Sequence, residues 1–212
     1  MTSVKRRIAC FCESTFEADV PETADLAADP DVEPAILAGE FMAVTCPACG
    51  KRLTPEFPFR LTGVPGVGEL LLVPEAERVA FARGRLGRNS ETGGRVAVGF
   101  AELAEKLLIV RAGLDDRVIE IMKYYLFTGS WAKGAAGAGK DDAVILYRGM
   151  DGGKHLFHIV GMREGEVGVA RLAPEIYLRI SSDVEERIAE DPFREFCVPP
   201  WVSLRRVSRG QA

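Results

Sequence analysis

Cys10-Phe11-Cys12 and Cys46-Pro47-Ala48-Cys49-Gly50 are the stretches whose reading decides this chain. Two close thiolate pairs, brought together by folding, make a tetrahedral site suited to zinc. Pro47 pre-sets a turn that aims both sulfurs of the second pair at one centre. Gly50 permits a positive φ just beyond it, and N–H groups in such a turn can donate to thiolates. On a strand, residues i and i+2 face the same side, so a local bend converges Cys10 and Cys12 on one ion. The long chain between the pairs, residues 13–45, is tolerable because loop-closure entropy grows slowly with length. Four thiolates close the coordination sphere, which argues against hydrolysis through a metal-bound water. A redox dithiol is a weaker reading, because neither pair has a strand–CxxC–helix setting. Buried, unliganded thiols are the remaining one.

The chain has 212 residues, enough for one domain with a proper core or for two small ones. A net charge of −4 argues against an obligate nucleic-acid binder, whose affinity would rest on Lys and Arg neutralising phosphates. No stretch approaches the roughly 18 apolar residues of a membrane span. The basic run Lys5-Arg6-Arg7 is followed by too short an apolar stretch for a secretory signal, so a cytoplasmic protein is expected. In a reducing cytosol, paired cysteines are metal ligands or redox thiols rather than structural disulfides.

Working outward from the cysteines, residues 6–12 read as a strand entering the first pair. From Glu13 to Gly50 there are acidic residues but no Lys or Arg, the strongest charge bias in the chain. It reads as a soluble surface or, more sharply, as a docking surface for a basic partner. Within it, Asp31 to Gly39 predicts a short helix capped by Gly39, and Phe41 to Thr45 a β-rich approach to the second pair. Lys51 to Leu61 is extended, with Pro55 and Pro58 restricting it to an edge. Strands are predicted at 69–73 and 95–98, with a helix or irregular excursion over Glu75–Arg85 and a loop over Gly87–Gly94. Phe100, Leu103, Ala104, Leu107 and Leu108 mark one helix; Leu114, Val118, Ile121, Met122 and Tyr125 mark a second. Asp115 and Asp116 suit the dipole in its first turn. Beyond a Gly/Ala-rich linker, a hairpin is expected around Asp151-Gly152-Gly153. A strand over 166–172, a helix starting at Pro174 and a last strand over Trp201–Val207 complete the pattern.

Other chemistry-bearing residues carry less. Gly134 to Lys140 fits the first seven positions of a phosphate-binding loop, but Asp141 stands where a Mg²⁺-binding Ser or Thr is needed, and a strand follows instead of a helix. A flexible linker is the better reading. His155 and His158, three apart in a strand-like run, face opposite sides and form no metal pair or base–nucleophile set. The Asp115-Asp116 and Glu185-Glu186 pairs read as solvated helix faces. Cys197, in an apolar stretch, reads as a packed core thiol.

With these residues in view, the chain resembles the bacterial CpXC family, named for its Cys-Pro-x-Cys motif and regarded as a zinc-binding domain of unknown function. The resemblance runs through Cys10-Phe11-Cys12 with Phe16 behind it, Ile36-Leu37-Ala38-Gly39-Glu40-Phe41, and Cys46-Pro47-Ala48-Cys49-Gly50. It continues in Leu70-Leu71-Leu72-Val73-Pro74-Glu75, Glu105-Lys106-Leu107-Leu108-Ile109 and Gly113-Leu114-Asp115-Asp116-Arg117-Val118-Ile119-Glu120. It covers about residues 8–130, with departures at Glu13, where relatives commonly carry Gly, and at Leu61-Thr62-Gly63. It implies a zinc-ribbon-like module fused to α and β elements, and no activity.

The expectation is therefore an α+β protein. A zinc-ribbon-like N-terminal module packs with central helices and a β-rich C-terminal part. Its divisions are a metal-binding domain over 1–130, a linker over 131–141 and the C-terminal part over 142–212. Cys10, Cys12, Cys46 and Cys49 are the expected ligands of a structural Zn²⁺. The expected role is non-enzymatic: an adaptor for another protein, with no membrane association. The alternative is a nucleic-acid- or transcription-associated zinc-ribbon protein, favoured by the basic ends Lys5–Arg7 and Arg205–Arg209.

Overall fold

A computed structural model describes residues 1–86, 93–129, 143–161 and 165–206. The linker expected over 131–141, with the Gly134–Lys140 run, lies outside the described residues, as do most of the Gly87–Gly94 loop and positions 207–209. The fold is α+β, and the chain divides into two compact units, Met1–Leu107 and Leu108–Ala212.

In the first unit, β1 (Thr2–Ala9) and β2 (Thr15–Asp25) form an antiparallel hairpin whose turn carries the first cysteine pair. Ile8, Val20 and Ala24 turn inward, while Lys5 lies opposite Asp19 and Arg7 opposite Glu17. Such facing pairs contribute about 0.2–1 kcal/mol each. Arg6 adds an ion pair to Glu22 at 3.6 Å. The helix expected within 31–39 is α1 (Val32–Leu37), followed by Gly39 at φ +72°. Phe41 then meets Phe59 and Phe100 edge-on at 4.7 and 6.2 Å, which fixes the chain entering the second cysteine pair.

That pair lies between two-residue strands, β3 (Val44–Thr45) and β4 (Arg52–Leu53). Next come β5 (Phe59–Val64), β6 (Gly68–Val73), a 3-10 turn at Glu75–Glu77, α2 (Arg78–Ala82) and β7 (Arg95–Val98). The main sheet has the order β1-β2-β5-β6-β7, with β2/β5 and β6/β7 parallel. At the end of β7 the Glu56 carboxylate accepts from the Glu75 and Phe100 amides. Gly99 sits there at φ +81°, and a Cβ on it would lie 2.6 Å from Glu75 Oε2, so a glycine is needed.

Two helices follow, α3 (Phe100–Arg111) and α4 (Asp116–Thr128), at the expected positions. The unit boundary falls within α3. Asp115 caps α4 by accepting from the Arg117 amide at 2.8 Å. In the second unit, β8 (Val144–Asp151), β9 (Lys154–Val160) and β10 (Gly168–Leu172) form an antiparallel sheet ordered β10-β9-β8. Its buried face, with Ile145, Tyr147, Phe157 and Ile159, shares one core with Val118, Ile121 and Met122 of α4. The chain continues through α5 (Pro174–Ser181), opened by its proline as expected, α6 (Val184–Arg187) and α7 (Phe193–Phe196).

The strand expected over Trp201–Val207 is instead a 3-10 turn at Leu204–Arg206. Its backbone is bonded elsewhere: Ser203 N to Phe196 O at 2.9 Å, Arg206 N to Ser203 O at 3.0 Å, and Leu204 N to Glu120 Oε2 at 2.7 Å. Those amides are therefore not available to a ladder.

Candidate metal centre

Each cysteine pair occupies a tight turn closed by its own backbone. In the first, Cys10 N donates to Ser14 O and Glu13 N to Cys10 O, both at 2.9 Å, with Glu13 at φ +67°. In the second, Cys46 N donates to Lys51 O and Gly50 N to Cys46 O, both at 2.9 Å. Gly50 takes φ +73°, the left-handed conformation expected for it.

These turns bring all four sulfurs within 4.8 Å of one another. Across the turns, Cys10 Sγ lies 3.6 Å from Cys49 Sγ, and Cys12 Sγ 3.8 Å from Cys46 Sγ. A tetrahedral thiolate site with metal–sulfur bonds of about 2.3 Å has sulfur–sulfur edges of about 3.8 Å. The four free thiols are thus close enough together to hold one ion, and two of their cross-turn distances match that edge. Cys10 and Cys46 are buried; Cys12 and Cys49 are exposed. Among the described residues no other group of three or more His, Cys, Asp or Glu side chains is gathered in this way.

The electrostatics show what a cation would do. The Ser14 hydroxyl, with help from the Cys49 and Ala48 amides, brings the Cys46 thiol down to about 6. The hydroxyl and amide of Ser14 also lower Cys12. Cys49 goes the other way: the Lys51 amide favours its thiolate, but its bonds to Cys12 and Cys10 hold the proton and push it up to about 12. Four mutually close thiolates repel one another, so the cluster alone keeps a proton on Cys49. A divalent ion held by the four sulfurs would replace that proton and let all four ionise.

The site has one feature beyond its ligands. Phe11, between two of them, is 82% exposed, and the Lys51 ammonium of the opposite turn lies 4.4 Å from its ring centroid. Ser14, which sequence reasoning passed over, approaches a sulfur of each turn, at 3.1 Å from Cys12 and 3.2 Å from Cys46. Only its position two residues after a cysteine hinted at this.

The other sequence candidates stay apart. His155 is buried on β9 against the rings of Tyr147 and Tyr177, and half-buried His158 lies on the other face of the strand. Asp115 binds Arg117, which also reaches Glu185 at 2.8 Å, so these carboxylates serve the fold; Asp116 is buried. Cys197 is a buried thiol in the second core. No described helix is long and apolar enough to cross a membrane.

An "Uncharacterized protein" of Treponema pallidum (strain Nichols) is 24% identical over 194 residues, which cover 84% of this chain and 87% of that protein. No solved structure matches. Residues 8–123, which hold all four cysteines, match the model of the CpXC protein family, and the chain belongs to that family.

Proposed function

We propose that this protein is a non-enzymatic, zinc-stabilised adaptor that binds another protein, placed in the cytoplasm, where thiolates stay reduced. The four-thiolate, tetrahedral donor set suits zinc best among common divalent ions and leaves no open position for a reactive water. The observation that carries the adaptor reading is Phe11. A large aromatic, 82% exposed, is held between two ligands on a turn that the metal would rigidify. Pre-organised aromatic anchors are the residues that dominate protein interfaces. Lys51 beside it gives the surface a cationic rim.

The acidic segment 13–50 contributes less to docking than its sequence suggests. Glu17, Asp19 and Glu22 face Arg7, Lys5 and Arg6; Glu40 pairs with Arg52; Asp29 pairs with the Met1 amine. The same register sets acidic residues across from Lys5 and Arg7 and pairs Arg6 with Glu22, in the basic run on which the nucleic-acid alternative rests, so the protein-binding reading is preferred.

The test has two parts. Metal analysis of the purified protein should give one zinc per chain, lost in Cys46→Ser. Affinity capture with wild type, Phe11→Ala and Cys46→Ser should recover a stoichiometric protein only with wild type, with Phe11→Ala still full of zinc. Recovery of nucleic acid alone, or equal recovery by Phe11→Ala, would overturn the adaptor reading.

A further inference from the structure

We infer that Ser14 is a positioning residue of the metal centre, its hydroxyl donating to the Cys46 thiolate and holding the two cysteine turns on one ion. The inference rests on the metal-centre reading above. Ser14 Oγ lies 3.2 Å from Cys46 Sγ and 3.1 Å from Cys12 Sγ, one sulfur from each turn. A metal-bound thiolate has no proton to give, so the hydroxyl must be the donor, and with one proton it serves one sulfur at a time.

Burial decides which. Cys12 is exposed and can be solvated by water, whereas Cys46 is fully buried and depends on protein donors. The backbone holds the hydroxyl in place: Cys10 N donates to Ser14 O at 2.9 Å, closing the turn from which the side chain projects. Ser14 is itself half-buried between the turns. A four-thiolate centre around a divalent ion carries two excess negative charges, which donors to sulfur spread and stabilise. Hydrogen-bond partners of metal ligands typically contribute 10–100-fold to metal affinity.

The experiment loads full-length wild type, Ser14→Ala and Ser14→Thr with cobalt(II), then measures affinity by chelator competition and the sulfur-to-cobalt charge-transfer band at saturation. Ser14→Ala should bind about 10–100-fold more weakly. Its band should move to longer wavelength, because a thiolate that loses a donor gives up electrons more readily. Ser14→Thr, which keeps the hydroxyl, should restore both. A merely structural role would weaken binding but leave the saturated band unmoved. Wild-type affinity and an unmoved band in Ser14→Ala overturn the assignment while the metal centre stands. Failure of the wild type to bind cobalt or zinc overturns the metal centre itself, and Ser14's role with it.

Discussion

Replacing Lys123 by Met should destabilise the second unit by about 3–5 kcal/mol, the cost of breaking a buried ion pair from one side. Lys123 and Glu120, one turn apart on α4, are 2% and 0% exposed at their side chains, with Nζ 2.8 Å from Oε1. Glu120 uses its other oxygen to accept from the Leu204 amide at 2.7 Å, tying the chain beyond Trp201 to the core. Lys123→Met keeps the length of the side chain and removes only its ammonium, so a buried carboxylate loses a counter-charge. In the double variant Glu120→Met/Lys123→Met no such carboxylate remains. The Leu204 amide then loses its acceptor, at a cost of about 1–3 kcal/mol. The double variant should therefore be more stable than Lys123→Met alone. Urea unfolding reads this through Trp201, which is buried, in a Trp131→Phe background that leaves it the sole tryptophan. With a slope of about 1–3 kcal/mol per molar urea, the single substitution should lower the midpoint by about 1 M or more. A shift below about 0.5 kcal/mol for Lys123→Met, well under the cost of an unpaired buried charge, would refute the argument. So would a double variant weaker than the single.

Three further outcomes follow from the geometry. Burial pushes the His155 imidazole below its usual value of 6.5, so the unfolded state takes up the proton first; stability should be full above about pH 6.5 and decline as pH falls toward the folded value. His155→Phe should flatten that decline when melting temperatures at pH 7.5 and 5.5 are compared. Gly99→Ala should cost at least about 1–2 kcal/mol for the left-handed backbone alone. It should lose more by displacing Glu75, which holds Arg78 at 2.6 Å, and a thermal shift no larger than that of a surface Gly→Ala control would count against the contact. Chelating the metal should speed amide exchange across Val44–Leu53, where strands of two residues cannot hold a hairpin unaided, and leave Ile145 and Phe157 in the other unit protected. Unchanged exchange at Cys46 and Gly50 would show that the metal does not support the fold.

The cysteine turns were legible in the sequence because their chemistry is local. The sulfurs are at most three residues apart within a turn, and the turn residues, Pro47 and Gly50, stand beside them. The helix period at Val118, Ile121 and Met122 and the hairpin at Asp151-Gly152-Gly153 are local in the same sense, and both elements form where expected. What escaped depends on partners distant in sequence. In α3 a helical pattern puts charges outward, yet Glu102, Glu105 and Lys106 are all buried. Glu102 is tolerated inside because Arg78, at 2.9 Å, and the Val98 amide, at 3.0 Å, answer it from earlier elements.

β2 shows the same limit more sharply. Thr15–Asp25 alternates in its first half, with Phe16, Ala18 and Val20 against Glu17 and Asp19, but the acidic content and Pro21 make it read as a solvated stretch. Its acidic face becomes a strand face because Lys5 and Arg7 stand across from Asp19 and Glu17 in the hairpin. A run of one charge in sequence is therefore not a patch of one charge in space. Folding lays Lys5 and Arg7 across from Asp19 and Glu17, which weakens the field that either run would present to a macromolecule. If the proposed adaptor role holds, the cysteine turns, where exposed Phe11 stands beside Lys51, are where partner binding should be sought first.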